Sequence, residues 1–206
     1  MARPERKDFP GAPRDLVGYG PEPPVVEWPG GASLALSIVV NYEEGSELSY
    51  PAGDERHETV AEVPVVLPQD QRDLHVESVF EYGSRAGIWR LLRMFEEYEC
   101  ETTFFACAVA LEENPEVGSR ALEAGHELCC HGWRWEDHWP LRREEERGRI
   151  RAAVESFERL YGVRPLGWFT RFTAGLNTRE LLVEEGGFRY DCDAFNDDLP
   201  YYVEVS

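Results

Sequence analysis

TTFFACAVALEENPEVGSRALEAGHELCCHGWR, Thr102–Arg134, decides the fold of this chain. The apolar run Thr102–Val109 predicts a buried strand. Asn114-Pro115 reads as an N-cap followed by proline at the first helical position. The helix pattern closes at Gly125, placed to take the left-handed conformation that ends a helix. A second short strand, His126–Cys130, delivers His131 to its carboxyl end. This is one βαβ unit with a histidine where α/β barrels collect catalytic groups. An acidic pair, Glu43 and Glu44, stands at the equivalent end of an earlier strand in SLALSIVVNYEEG (Ser33–Gly45). Carboxylates and an imidazole from different strands of one parallel sheet suggest hydrolysis.

Working outward, residues 1–30 are rich in proline, glycine and charge and read as an extended arm. Residues 31–206 read as one catalytic domain. Ser33–Asn41 is a buried parallel strand. Tyr42–Glu77 is a long polar excursion, of a length that is functional or disordered in a compact domain. Ser84 reads as the cap of a helix carrying Ile88, Leu91, Leu92 and Phe95 at helical spacing. Arg142–Leu160 is another amphipathic helix. Leu166–Thr170 is a strand, Asn177–Glu185 a helix ended by Gly186-Gly187, and Phe188–Cys192 a strand. Strands alternating with helices mean a parallel α/β fold. About five strands are legible, where a closed barrel takes about eight.

The net charge of −19 excludes nucleic acid and anionic membrane surfaces as partners, since both are polyanions. No apolar run is long enough to span a membrane, and the first residues lack a signal-peptide core, so a cytoplasmic location is expected. Cys100, Cys107, Cys129, Cys130 and Cys192 form no CxxC pair. They read as free thiols, mostly buried as small hydrophobes.

Six blocks, RDLVGYG, VNYEEGSE, EYGSRAGIWRLL, GHELCCHGWRWED, NTRELLVEEGGF and YDCDAFNDDLPY, together resemble the polysaccharide deacetylase family, and within it the cofactor-independent allantoinase-like branch. The resemblance runs from about Arg14 to Tyr201. It implies a distorted (β/α) barrel, of which this chain resembles the N-terminal two-thirds. It also implies a carbon–nitrogen hydrolase, most simply one that opens a small cyclic amide or ureide. The competing readings are a metal-dependent deacetylase of N-acetyl sugars and a catalytically inert truncated homologue. The partners implied are a small-molecule substrate and further copies of the chain, as a dimer or tetramer to which the N-terminal arm contributes.

The family's first motif has two aspartates, a general base and a metal ligand; Glu43 and Glu44 stand there. A solvated acidic turn would use the same residues. His131 matches the family's first metal-binding histidine. Where a second is expected four residues on, this chain has Trp135. A catalytic zinc usually takes three protein ligands, and only Glu44 and His131 are in place, so the resemblance implies a metal-free site. Arg171 falls where the family has an arginine that orients the catalytic carboxylate, and Asp193 is the aspartate expected to pair with it. A surface loop with several acids is the plainer reading of Asp193. Glu44, Arg85 (read at a helix start) and Trp135 are candidate substrate contacts. Trp133, Trp135 and Trp139 either wall a pocket or pack. His57, His75 and His126 read as structural or exposed. An open barrel would leave its last strand at a sheet edge, with Val203 and Val205 poorly covered.

Overall fold

The computed structural model describes residues 14–60, 67–68 and 70–205. Part of the expected arm (1–13) and part of the 42–77 excursion (61–66 and 69) lie outside the described residues. The chain divides into two compact units, Met1–Leu36 with Asn196–Val203, and Ser37–Phe195 with Glu204–Ser206. In the first, the carboxylate of Asp15 accepts the N–H groups of Val17 and Gly18, shaping a turn closed by Gly20 N–H on Val17 O at 3.0 Å. Tyr201 donates to Asn196 at 2.7 Å.

The second unit is built on five parallel strands in sequence order: β1 (Val39–Tyr42), β2 (Thr103–Ala106), β3 (Glu127–Cys130), β4 (Gly167–Trp168) and β5 (Tyr190–Asp191). Among the described residues the sheet is open, with β1 and β5 at its two edges. No strand forms among the described residues of YYVEVS, and Val203 and Val205 are 42% and 36% exposed. Consecutive parallel strands in one order are the start of a barrel wall, as the resemblance implied.

Period-2 alternation sorts the side chains. Phe104, Ala106, Leu128 and Cys130 are buried on one face, and Phe105 and Cys129 on the other. The core is completed by α5 (Arg143–Tyr161), whose Ile150, Ala153, Val154 and Phe157 form a buried stripe at helical spacing. Gly162, at φ 67°, ends that helix in the left-handed conformation.

Three local expectations are corrected. The strand read over Thr102–Val109 stops at Ala106, and a short helix α3 (Ala108–Glu113) follows directly. Its first free N–H groups, of Ala108 and Val109, bond the carbonyls of Gly132 and Trp133, so tertiary partners start the helix. Asn114 precedes α4 (Pro115–Glu123) without capping it; its amide donates to Ser84 Oγ at 3.0 Å. Ser84 caps nothing either. The helix starts at α1 (Leu74–Tyr82), capped by Asp73, and continues through a π turn (Gly83–Gly87) into α2 (Ile88–Glu97). Arg85 therefore lies in mid-helix. Among the described residues, no helix is long and apolar enough to cross a membrane.

Candidate active site

The carboxyl ends of β1, β3 and β4 meet at one place. Asn41 and Glu43 come from the end of β1, His131 follows β3, and Phe169 follows β4. His131 is 2% exposed. Its Nδ1 lies 2.7 Å from the Phe169 carbonyl. A carbonyl only accepts, so Nδ1 carries the proton. Nε2 faces Glu43 Oε1 at 3.0 Å, and Asn41 Nδ2 donates to that same oxygen at 2.9 Å. One proton therefore lies between imidazole and carboxyl. The imidazole plane stacks on Phe169, with centroids 5.0 Å apart and 9° between planes. Ring, tautomer and contact atom are all held.

The turn after β1 is built to place these carboxylates. Gly45 sits at φ 90°, and Ser46 returns two hydrogen bonds to the Glu43 carbonyl. Arg134 clamps the turn from the β3 side. It donates to the carbonyls of Ser46 and Glu47 and makes a bidentate pair with Asp54 at 2.8 Å. Glu44 turns toward the π turn of the long helix. A Cβ on Gly83 would lie 2.0 Å from Glu44 Oε1. Burial pushes the Glu44 carboxyl up to about 7; the charges of Glu43 and Glu47 add to the rise, and backbone N–H donors work against it. Tyr42, from the same strand, is raised to about 12, chiefly by burial.

The other expected residues fall elsewhere. Arg171 does not reach Glu43. Its guanidinium pairs with Glu58 at 3.0 Å, donates to the Trp135 carbonyl at 3.0 Å and stacks on the Trp135 ring at 3.9 Å. Both charges of that pair are buried. Phe172, at φ 52°, also packs against Trp135 and Arg171. Trp135 is thus a buried platform for an ion pair. Asp193 does not pair with Arg171 but accepts the N–H and the hydroxyl of Thr170, each at 2.7 Å. Burial raises its carboxyl, and the two Thr170 donors oppose that rise. The arginine that meets an aspartate here is Arg179, on Asp191 at 3.1 Å. Arg85 is exposed and pairs with Glu81 along its own helix. Trp133 lies under Arg149, at 4.7 Å, and Trp139 is exposed.

His126 is packed between Phe95 and Phe104, and His57 is buried with Nδ1 on the Glu58 carbonyl. His138 is buried against Glu146. Cys107, Cys129 and Cys130 are buried, and burial raises all three thiols. Asn41 and Arg134 are the site residues that the sequence reading missed. Asn41 was legible only as the residue two before Glu43 on a strand, the spacing that puts both on one face.

The family resemblance implies a divalent metal in the deacetylases, which would need three converging donors. Glu43 and His131 are spent on each other, Glu44 nests against Gly83, and Trp135 stands at the third position. Among the described residues, no three His, Cys, Asp or Glu side chains converge as metal ligands. They do not supply the set that a catalytic zinc takes.

The chain matches the family model for polysaccharide deacetylase over residues 69–190. It is 36% identical over 201 residues to a "putative polysaccharide deacetylase" of Schizosaccharomyces pombe, covering 92% of this chain and 62% of that protein. Among solved structures it is similar to Puue allantoinase, with a TM-score of 0.87 and 45% identity over 94% of this chain and 65% of that one. A "probable polysaccharide deacetylase" from Pseudomonas aeruginosa PAO1 matches with a TM-score of 0.87 and 45% identity, over 95% of this chain and 65% of that one. The chain therefore spans a little under two-thirds of the length of each of these relatives.

Proposed function

The chain belongs to the polysaccharide deacetylase family, and from that premise we propose that it is a hydrolase of non-peptide carbon–nitrogen bonds that opens a small cyclic amide or ureide. One observation carries the reading: His131 Nε2 stands 3.0 Å from Glu43 Oε1 while its Nδ1 is committed to a backbone carbonyl. That is an acid–base pair with one proton to move.

In the proposed reaction, Glu43 takes a proton from water as the water oxygen attacks the ring carbonyl carbon. The tetrahedral carbon then expels its nitrogen, and His131 Nε2 gives that nitrogen a proton. The C–N bond breaks, a C–O bond forms, and the ring opens to an acid and a free N–H. Asn41 holds Glu43 Oε1 in register, the role that the sequence reading gave to Arg171. Proton transfer of this kind contributes typically about 10²–10⁴-fold. Similarity to an allantoinase supports a ring ureide as substrate. No step passes through a metal, because the described donors do not fit one.

A second reading is supported by the relatives named as polysaccharide deacetylases. An N-acetyl group presents the same amide carbonyl to the same base and acid. A panel of allantoin, hydantoins, cyclic imides and N-acetylglucosamine oligomers separates the two. Turnover of the ring compounds alone is expected. Turnover of the oligomers alone would establish the second reading instead.

A further inference from the structure

We propose that Asp193 acts on His131 as a positioning residue, through the single peptide group that joins Phe169 to Thr170. The inference rests on His131 being the proton donor of the reading above. Thr170 N–H donates to Asp193 Oδ1 at 2.7 Å, and the Phe169 carbonyl accepts His131 Nδ1–H at 2.7 Å. That N–H and that carbonyl are the two ends of one amide. A carboxylate on the N–H end draws the amide toward its charge-separated form and puts more negative charge on the oxygen. Hydrogen bonds in such a chain strengthen one another. His131 therefore feels a carboxylate at one remove, in the place where a directly bonded aspartate would otherwise fix its tautomer.

The surroundings hold this relay in one geometry. Asp193 Oδ2 accepts the Thr170 hydroxyl at 2.7 Å, and that hydroxyl oxygen accepts Trp168 Nε1–H at 2.8 Å. The hydroxyl cannot turn round without losing both partners. Asp193 N–H donates to Asp191 Oδ1 at 3.2 Å, and Asp191 is itself held by Arg179. Thr170 is 1% exposed, so little water competes for these bonds. Phe169 N–H donates to the Cys130 carbonyl at 2.9 Å, tying the peptide back to β3 beside His131. The Phe169 ring lies flat on the imidazole. One residue thus supplies both the acceptor and the wall, and Asp193 fixes that residue from just beyond the neighbouring strand β5.

The test is nitrogen and proton NMR of His131 in the full chain, with turnover measured beside it. In the wild type, the ring must carry a proton on Nδ1, with a far-downfield resonance. A ring protonated on Nε2 instead would overturn the proposal without any variant. Asp193→Asn should move the Nδ1–H resonance upfield and lower kcat roughly tenfold with little change in KM. Thr170→Val keeps the peptide N–H and the carboxylate, so its Nδ1–H should stay downfield. An unmoved resonance in Asp193→Asn, or an equal shift in Thr170→Val, would show that Asp193 is only an anchor. An upfield shift with unchanged kcat would leave the relay standing and remove His131 from the reaction.

Discussion

Burial governs the charge of Glu44, and that has a consequence for stability. Its carboxyl is raised from 4.5 to about 7, first by burial and then by the charges of Glu43 and Glu47. A raised acid releases its proton more readily in the unfolded chain. Its stabilising contribution is complete below about pH 4.5 and is lost as pH rises through about 7. The size is on the order of 3 kcal/mol. Glu44→Gln should therefore flatten the fall of thermal stability across that window and be the more stable protein above it. Parallel curves for the two proteins would refute the assignment. Arg171 is the opposite case, a buried cation whose partner is buried with it. Removing one member leaves an unpaired charge inside, which costs about 3–5 kcal/mol. Arg171→Met should lose that much in urea denaturation, and adding Glu58→Gln should restore most of it. An additive double variant would mean that the two charges do not depend on each other.

At the scale of elements, the π turn decides where Glu44 sits. A helix interior normally gains about 1 kcal/mol when glycine becomes alanine. Gly148, in α5, has open space where a Cβ would go, and Gly148→Ala should show that gain. Gly83→Ala should lose about 1–3 kcal/mol instead, because its Cβ would collide with the Glu44 carboxylate. Thermal melting of the two variants side by side checks the contrast. No sequence pattern announced this turn: Gly83, Ser84 and Gly87 look like a helix start, and the extra residue of a π turn has no composition of its own. Much else was legible. Glycine and proline marked the ends of α4 and of the helix Thr178–Glu185, and the apolar runs marked β2 and β3. Of the run Ser33–Asn41, read as a buried strand, only Val39–Asn41 falls in β1, and Leu34 and Leu36 are exposed. Glu43 and His131 could be placed because both stand at strand ends, where position along the chain nearly fixes position in space. Arg171 and Asp193 could not be paired in that way. Their partners, Glu58 and Thr170, are chosen by the path of a loop and the rotation of a side chain, which strand order does not set.

At the scale of the whole molecule, the open parallel sheet of the described residues leaves hydrogen-bonding edges at β1 and β5. Such edges favour pairing with further chain or with a second copy, and we propose the dimer or tetramer that the family resemblance implies. Sedimentation should show self-association, and a dilute stable monomer would count against it. The site proposed in this molecule works with a carboxylate, an imidazole and water. Elemental analysis after dialysis should find less than one equivalent of zinc, and one zinc per chain lost together with activity would contradict that. The most direct measurement is turnover of a five-membered cyclic ureide in chelated buffer, wild type against Glu43→Gln. Turnover should survive chelation and fall about 10²–10⁴-fold in the variant. Equal rates for the two proteins, or a rate that chelation abolishes, would contradict it.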